Sequence, residues 1–177
     1  MGFRSSWIAR RGTSTTELLA QTGFAPTGER LEYSDVGVQL VVVPEGERGP
    51  WSILVASGTK HFTEIRDEDA RAVSQSSEAL FFWCSDTTMA TELSCWRDGR
   101  PAWRIAYDCE VGEPQQDGDV PPEAEEILER LRAAQAKRDG ADHLYELTAE
   151  VGRSLTGFRH DQDIVTGEPS PYRVLAR

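Results

Sequence analysis

Asp98-Gly99 lies between two runs of β-forming residues and constrains this chain more than any other feature. Both residue types tolerate the backbone of a tight reversal, so residues 89–109 must fold back as an antiparallel hairpin. Two registers are open. A two-residue turn sets Leu93 opposite Arg104 and Ser94 opposite Trp103. A three-residue loop, Arg97-Asp98-Gly99, pairs Leu93 with Trp103, Thr91 with Ile105 and Met89 with Tyr107. Only the second makes one face apolar, and a buried face is what fixes register, so it is the expected one. It buries Leu93, Cys95, Trp103, Ile105 and Tyr107 together and places Cys109 on the same face. On the outer face it sets Glu92 opposite Arg104 and Trp96 opposite Arg100.

The rest of the chain supplies strands and helices to pack on that hairpin. Residues 3–10, Val36–Val43, Trp51–Ala56 and Ala79–Cys84 read as strands, with Pro44–Pro50 linking the second and third. Helix one follows Ser14, with Glu17 completing a capping-box pattern and Gly23 as its stop. A short helix starts at Asp67, whose carboxylate can cap free N–H groups. Pro121-Pro122 suits a first helical turn, after which Ala124, Ile127, Leu128, Leu131 and Ala134 share a face until Asp139-Gly140. Thr148–Leu155 is the last helix, ended by Gly157. Residues 24–35 and the first half of 108–129 read as polar loops. The expected fold is therefore α+β: a mostly antiparallel sheet of about five to six strands carrying three to four helices. One domain over 1–165 is expected, with 166–177 as a loose tail containing Pro169 and Pro171.

Charge bounds the partners. The 177 residues carry a net charge of −11, which repels phosphate backbones, so nucleic acid is not an expected partner. No apolar run approaches the roughly 20 residues of a membrane span. Gly2 and Ser6 fit a myristoylation pattern, but residues 3–9 read better as a strand, and a cytoplasmic protein without membrane contact is expected. Between Arg104 and Arg130 there is no basic residue, while nine carboxylates crowd the same stretch. Cys84, Cys95 and Cys109 lack C-x-x-C spacing, and His61, His143 and His160 are scattered, so neither disulfides nor a metal are expected. No cofactor is expected either, because phosphate-cradling glycine loops are missing.

No nucleophile elbow or other catalytic signature occurs, and the chain reads as a non-enzyme. Two groups of residues stand out as candidate sites. Trp96, Arg100 and Arg104 would form an aromatic-and-guanidinium patch of the kind found at protein interfaces. Arg159, His160 and Asp161, with Asp163 beyond, could bind a ligand or move a proton; otherwise they close a helix-ending loop. Asp35, Glu64 and Asp108 are carboxylates with no evident pairing.

Three stretches carry a resemblance: Gly2-Phe3-Arg4-Ser5-Ser6-Trp7-Ile8-Ala9, Trp96-Arg97-Asp98-Gly99-Arg100 with Trp103, and Leu155-Thr156-Gly157-Phe158-Arg159-His160-Asp161. They are similar to a family of uncharacterised bacterial proteins. The resemblance implies bacterial origin and a complete domain, and transfers no activity or catalytic residue.

The functional expectation is a protein-interaction module, in the manner of an immunity or antitoxin protein that inhibits a basic toxin. Its partner would be a basic protein, met as a monomer or homodimer. The alternatives are a small-ligand-binding protein or enzyme built on Arg159, His160 and Asp161, and a domain that only homodimerises.

Overall fold

The computed structural model describes residues 3–34, 36–46, 49–137, 140–162, 164 and 166–177. Gly2, Asp35, Asp139 and Asp163 lie outside the described residues. Among the described residues, nine strands form one antiparallel sheet: β1 (Arg4–Arg11), β2 (Ala25–Leu31), β3 (Gly37–Gly46), β4 (Gly49–Ser57), β5 (Ala79–Ser85), β6 (Ala90–Arg97), β7 (Arg100–Asp108), β8 (Gln115–Gly118) and β9 (Tyr172–Ala176). Their order is β2-β9-β3-β4-β1-β5-β6-β7-β8. Helices α1 (Thr15–Thr22) and α2 (Asp67–Val73) cover one face. The opposite face carries α3 (Pro122–Gln135), α4 (Leu147–Thr156) and a 3₁₀ turn over His143–Glu146. No helix is long and apolar enough to cross a membrane, among the described residues.

The class matches the expectation, and the sheet is larger. Three strands come from stretches that read as loops or tail: β2 from residues 24–35, β8 from the acidic stretch, and β9 from residues 166–177. β2 and β8 are polar and mostly exposed, so they show no alternating pattern; β9 is short and follows Pro169 and Pro171. Rather than a loose tail, Tyr172–Ala176 pairs with both β2 and β3.

Both faces of the sheet are buried, because the strands carry large apolar residues at odd and even positions alike. Trp7, Trp51, Phe82, Leu93, Trp103 and Ile105 form one core with α3 and α4. Ile8, Leu54, Phe81 and Trp96 form a second core with Leu18, Ala70 and Val73 of α1 and α2. Trp96 is therefore 6 % exposed and donates its indole N–H to Ser94 Oγ at 3.0 Å. This corrects the expected outward patch: the second helix layer covers the face on which Trp96 projects.

The hairpin register differs from both alternatives. Arg97 pairs with Arg100 across a two-residue turn, with Asp98 and Gly99 at φ 51° and 71°. An irregularity beyond Trp96 then shifts the pairing, so Cys95 faces Trp103, Leu93 faces Ile105 and Thr91 faces Tyr107. The extra residue sits in β7 instead of the loop. Parity is unchanged by this move, so Leu93, Cys95, Trp103, Ile105 and Tyr107 are all buried on one face as the pattern predicts. Cys109 lies past the strand end and is exposed, contrary to expectation, while Cys84 and Cys95 are buried.

Two helix starts also differ. Ser14 makes no side-chain cap; Glu17 instead pairs with Arg10. The α2 start is capped from inside, where Asp69 accepts the Arg66 N–H at 3.0 Å, and Asp67 is its first helical residue. Gly23 and Gly157 both take the left-handed conformation that stops α1 and α4 as expected, whereas α3 ends at Gln135, before the Asp139-Gly140 stop expected for it.

Candidate functional site

At the start of β1 two cavities meet. One, of about 240 Å³, is lined by Phe3, Phe82, Cys84, Asp86, Tyr145, Glu146, Arg159, His160 and Asp161 among others. The wider one, of about 470 Å³, lies among Phe3, Arg4, Ser34, Val36, Gly58, Lys60, His61 and His160. Phe3 and His160 belong to both and form the partition between them.

The chain delivers His160 by a local device. Gly157 (φ 75°) ends α4, and its N–H bonds to Arg153 O at 2.7 Å. Phe158 then plunges into the core, edge-on to Trp7 with ring centroids 6.0 Å apart. With Phe158 anchored, Arg159 and His160 must return along the mouth of the sheet. His160 stacks on Phe3 (5.4 Å, 24°) and lies tilted against Phe82 (5.0 Å).

His160 Nε2 sits 3.4 Å from Cys84 Sγ. Its Nδ1 is buried with no hydrogen-bond partner among the described residues. Burial between two phenyl rings favours the neutral ring and holds the imidazole down to about 4, against the pull of Asp161 and Asp86. Burial also pushes the Cys84 thiol up to about 12, reinforced by the Asp86 and Asp161 charges. The pair is therefore a thiol beside a neutral imidazole. A reactive thiolate–imidazolium pair needs both shifts in the opposite direction.

The flanking polar groups satisfy one another. Burial pulls the Arg159 guanidinium down, but Asp161 and Glu146 more than reverse this. Arg159 donates to both Asp161 oxygens at 2.6 and 3.0 Å, pairs with Glu146, and has Glu150 at 3.7 Å. Asp86 accepts from Tyr145 Oη at 2.8 Å and from the Phe3 N–H at 3.1 Å. This smaller cavity is thus acidic, with one cation already shared among three carboxylates.

The wider cavity has the opposite character. Phe3 and Val36, 39 % and 68 % exposed, are two of its walls and together open an apolar patch inside it. Arg4 and Lys60 line it, and neither makes an ion pair among the described residues; Arg4 only lies over the Phe62 ring at 5.4 Å. His61 is bound to Glu64 at 2.5 Å.

Of the residues singled out from sequence, Arg159, His160 and Asp161 do come together at a cavity. Trp96, Arg100 and Arg104 do not form one patch: Trp96 is buried, Arg100 is exposed by the turn, and Arg104 bonds Glu92 at 2.7 Å. Glu64 is taken by His61, and Asp108 accepts the Glu110 N–H. Sequence reasoning missed Phe3, Arg4, Val36, Lys60, Cys84 and Asp86. The available signal was an apolar and a basic residue side by side at the start of a buried strand. Among the described residues, no three or more His, Cys, Asp or Glu gather to hold a metal ion. Compared with known protein families, curated proteins and solved structures, the chain matches none.

Proposed function

We propose that this chain is a ligand-binding domain that takes a small amphipathic anion, such as an aliphatic carboxylate, in the cleft at the start of β1. The observation that carries this reading is the pair Arg4 and Lys60, without carboxylate partners among the described residues, beside the exposed apolar walls Phe3 and Val36. On a molecule of net charge −11, two bare cations next to open apolar surface suit an anionic head with an apolar body. The acidic cavity behind His160 repels the same head and so fixes which way the ligand enters. The buried thiol and neutral imidazole favour binding over catalysis.

Decanoate titrated by calorimetry tests this. The wild type should bind, decylamine should not, and Lys60→Gln or Arg4→Gln should each weaken decanoate by about tenfold or more. Equal binding of acid and amine, or full affinity in the double variant, would sink the proposal.

A second reading, the inhibitor of a basic protein, keeps one support. Asp108, Glu110, Glu113, Asp117 and Asp119 are all exposed along β7, β8 and the approach to α3. With Trp96 in the core, that surface would have to act by charge, and neutralising those five residues should slow association with such a partner.

A further inference from the structure

Beyond α1 and α2 the sheet face on which they pack lies open. Their core takes residues from β3, β4, β1, β5 and the turn end of β6, and none from β7 or β8. Past it the cross-strand row Trp83, Glu92, Ala106, Gln115 continues on the same face, half-buried or exposed throughout. Ala90 and Ala106 keep this stretch low, and two hollows flank Trp83. One, of about 200 Å³, lies toward β7 and Val111; the other, of about 380 Å³, lies toward Phe62 and the start of α2. We infer that this trough is a docking site for an extended, arginine-bearing segment of a basic protein partner, with Trp83 as its floor. The inference rests on the reading of a basic partner, and supplies the aromatic anchor that buried Trp96 cannot.

Acids outnumber bases along the trough. Asp67, Glu68, Glu92, Asp108 and Glu113 line it, against Arg66 and Arg104. Neighbouring charges narrow the gap without closing it: Arg132 pairs with Glu113 at 3.1 Å and Arg71 acts on Asp67, while Asp117 adds a carboxylate 3.8 Å from Arg104. Asp67 is where a further cation is most wanted. It is exposed, and its carboxylate has no hydrogen bond or ion pair among the described residues. Partial desolvation, then Glu92 and Glu68, push this carboxyl up from its usual range, against the pull of Arg104 and Arg71. Asp67 and Trp83 line the same hollow, so a guanidinium in it meets a carboxylate and an indole together, the pairing that arginine makes better than lysine. In the other hollow Val111, 58 % exposed, stands with Ala90 and Ala106 as an apolar wall for an aliphatic neighbour of that arginine.

The probe is an acetylated, amidated Arg-Leu-Arg-Leu-Arg peptide, titrated by calorimetry at physiological salt. It is followed as well through the Trp83 indole N–H cross-peak of ¹⁵N-labelled protein, assigned by Trp83→Phe. Saturable movement of that peak is expected, and Asp67→Asn with Glu92→Gln should weaken binding by about tenfold or more. Glu29→Gln with Glu125→Gln removes as much charge from exposed positions elsewhere, and should change affinity by less than about twofold. Equal weakening by the two pairs would mean that net charge alone attracts the peptide; the inference then fails while the wider reading of a basic partner stands. It fails too if the Trp83 peak stays fixed, or if spermidine moves it with equal affinity. Should Glu92→Gln unsettle the strand by stranding Arg104, Asp67→Asn alone carries the test, since it breaks no hydrogen bond among the described residues. A weakening of about threefold or more is expected from it, and full affinity would overturn the inference.

Discussion

The two ends of β1 treat their cations in opposite ways. At the far end Arg11 and Arg97 both lean on Glu78, and the triad closes a mouth over apolar rings. At the near end Arg159 is shared among Glu146, Glu150 and Asp161, while Arg4 and Lys60, one partition away, have no carboxylate partner among the described residues. Charges that a fold neutralises internally serve its own architecture; charges left bare beside open apolar surface are free to serve something else. The contrast separates building from binding within one strand's length.

The largest expected effect tests whether the near end is anchored in the core. Phe82 is fully buried, stacks on Trp7 at 5.2 Å and backs His160. Phe82→Ala should cost about 3–5 kcal/mol in denaturant unfolding. A loss under 1 kcal/mol would mean the His160 partition stands without the core, and the comparison would have to be redrawn.

Next comes the pH response of His160, which has no counterpart at the far end. Its ring is held at about 4 in the folded protein, so the unfolded chain binds the extra proton first as pH falls from about 6.5. Stability is full above about 6.5 and should fall by about 2–3 kcal/mol as pH drops toward 4. His160→Phe, which keeps a ring in the slot, should flatten the stability profile in that window. An unchanged slope in the variant would move the responsibility elsewhere.

Arg159→Gln strands three carboxylates that can still reach some water, so a loss of about 2 kcal/mol is expected. Arg97→Gln, on the exposed triad at the other end of β1, should cost under about 1 kcal/mol. Thermal melts of the two variants side by side sharpen the contrast. Equal losses would erase the distinction between a buried cation cluster and an exposed one.

Much of this arrangement is written in local sequence, and some is not. The capping glycines Gly23 and Gly157, the Asp98-Gly99 turn and the apolar faces of α3 and α4 follow from short-range chemistry. The hairpin faces were legible because parity survives a bulge; the register was not, because nothing local places the extra residue at β7 instead of the loop. Trp96 misleads for a different reason. Alternation along β6 suggests a sheet with one wet side, whereas the unbroken run Ala79-Leu80-Phe81-Phe82-Trp83-Cys84 already signals cover on both. Of the candidate site, Arg159-His160-Asp161 stands out as a polar cluster in sequence. Its partners Phe3, Cys84 and Asp86 arrive only through the pairing of β1 with β5, a contact across some eighty residues that no local pattern announces.

The position of β9 has a consequence for how the molecule assembles. β2 joins the sheet only through β9, and Thr27 bonds to Val174 across 147 positions of chain. While the chain is being made, β2 must therefore wait as an unpaired segment for the whole of the remaining sheet to be synthesised. Contacts of such separation close late and slowly, since the loop entropy is spent before any pairing rewards it. In that interval β3 presents a bare edge over Val38–Leu40, the stretch that β9 later pairs with, to any neighbouring chain. Loss of residues 172–176 should make that exposure permanent, and the expected result is aggregation rather than a slightly smaller domain.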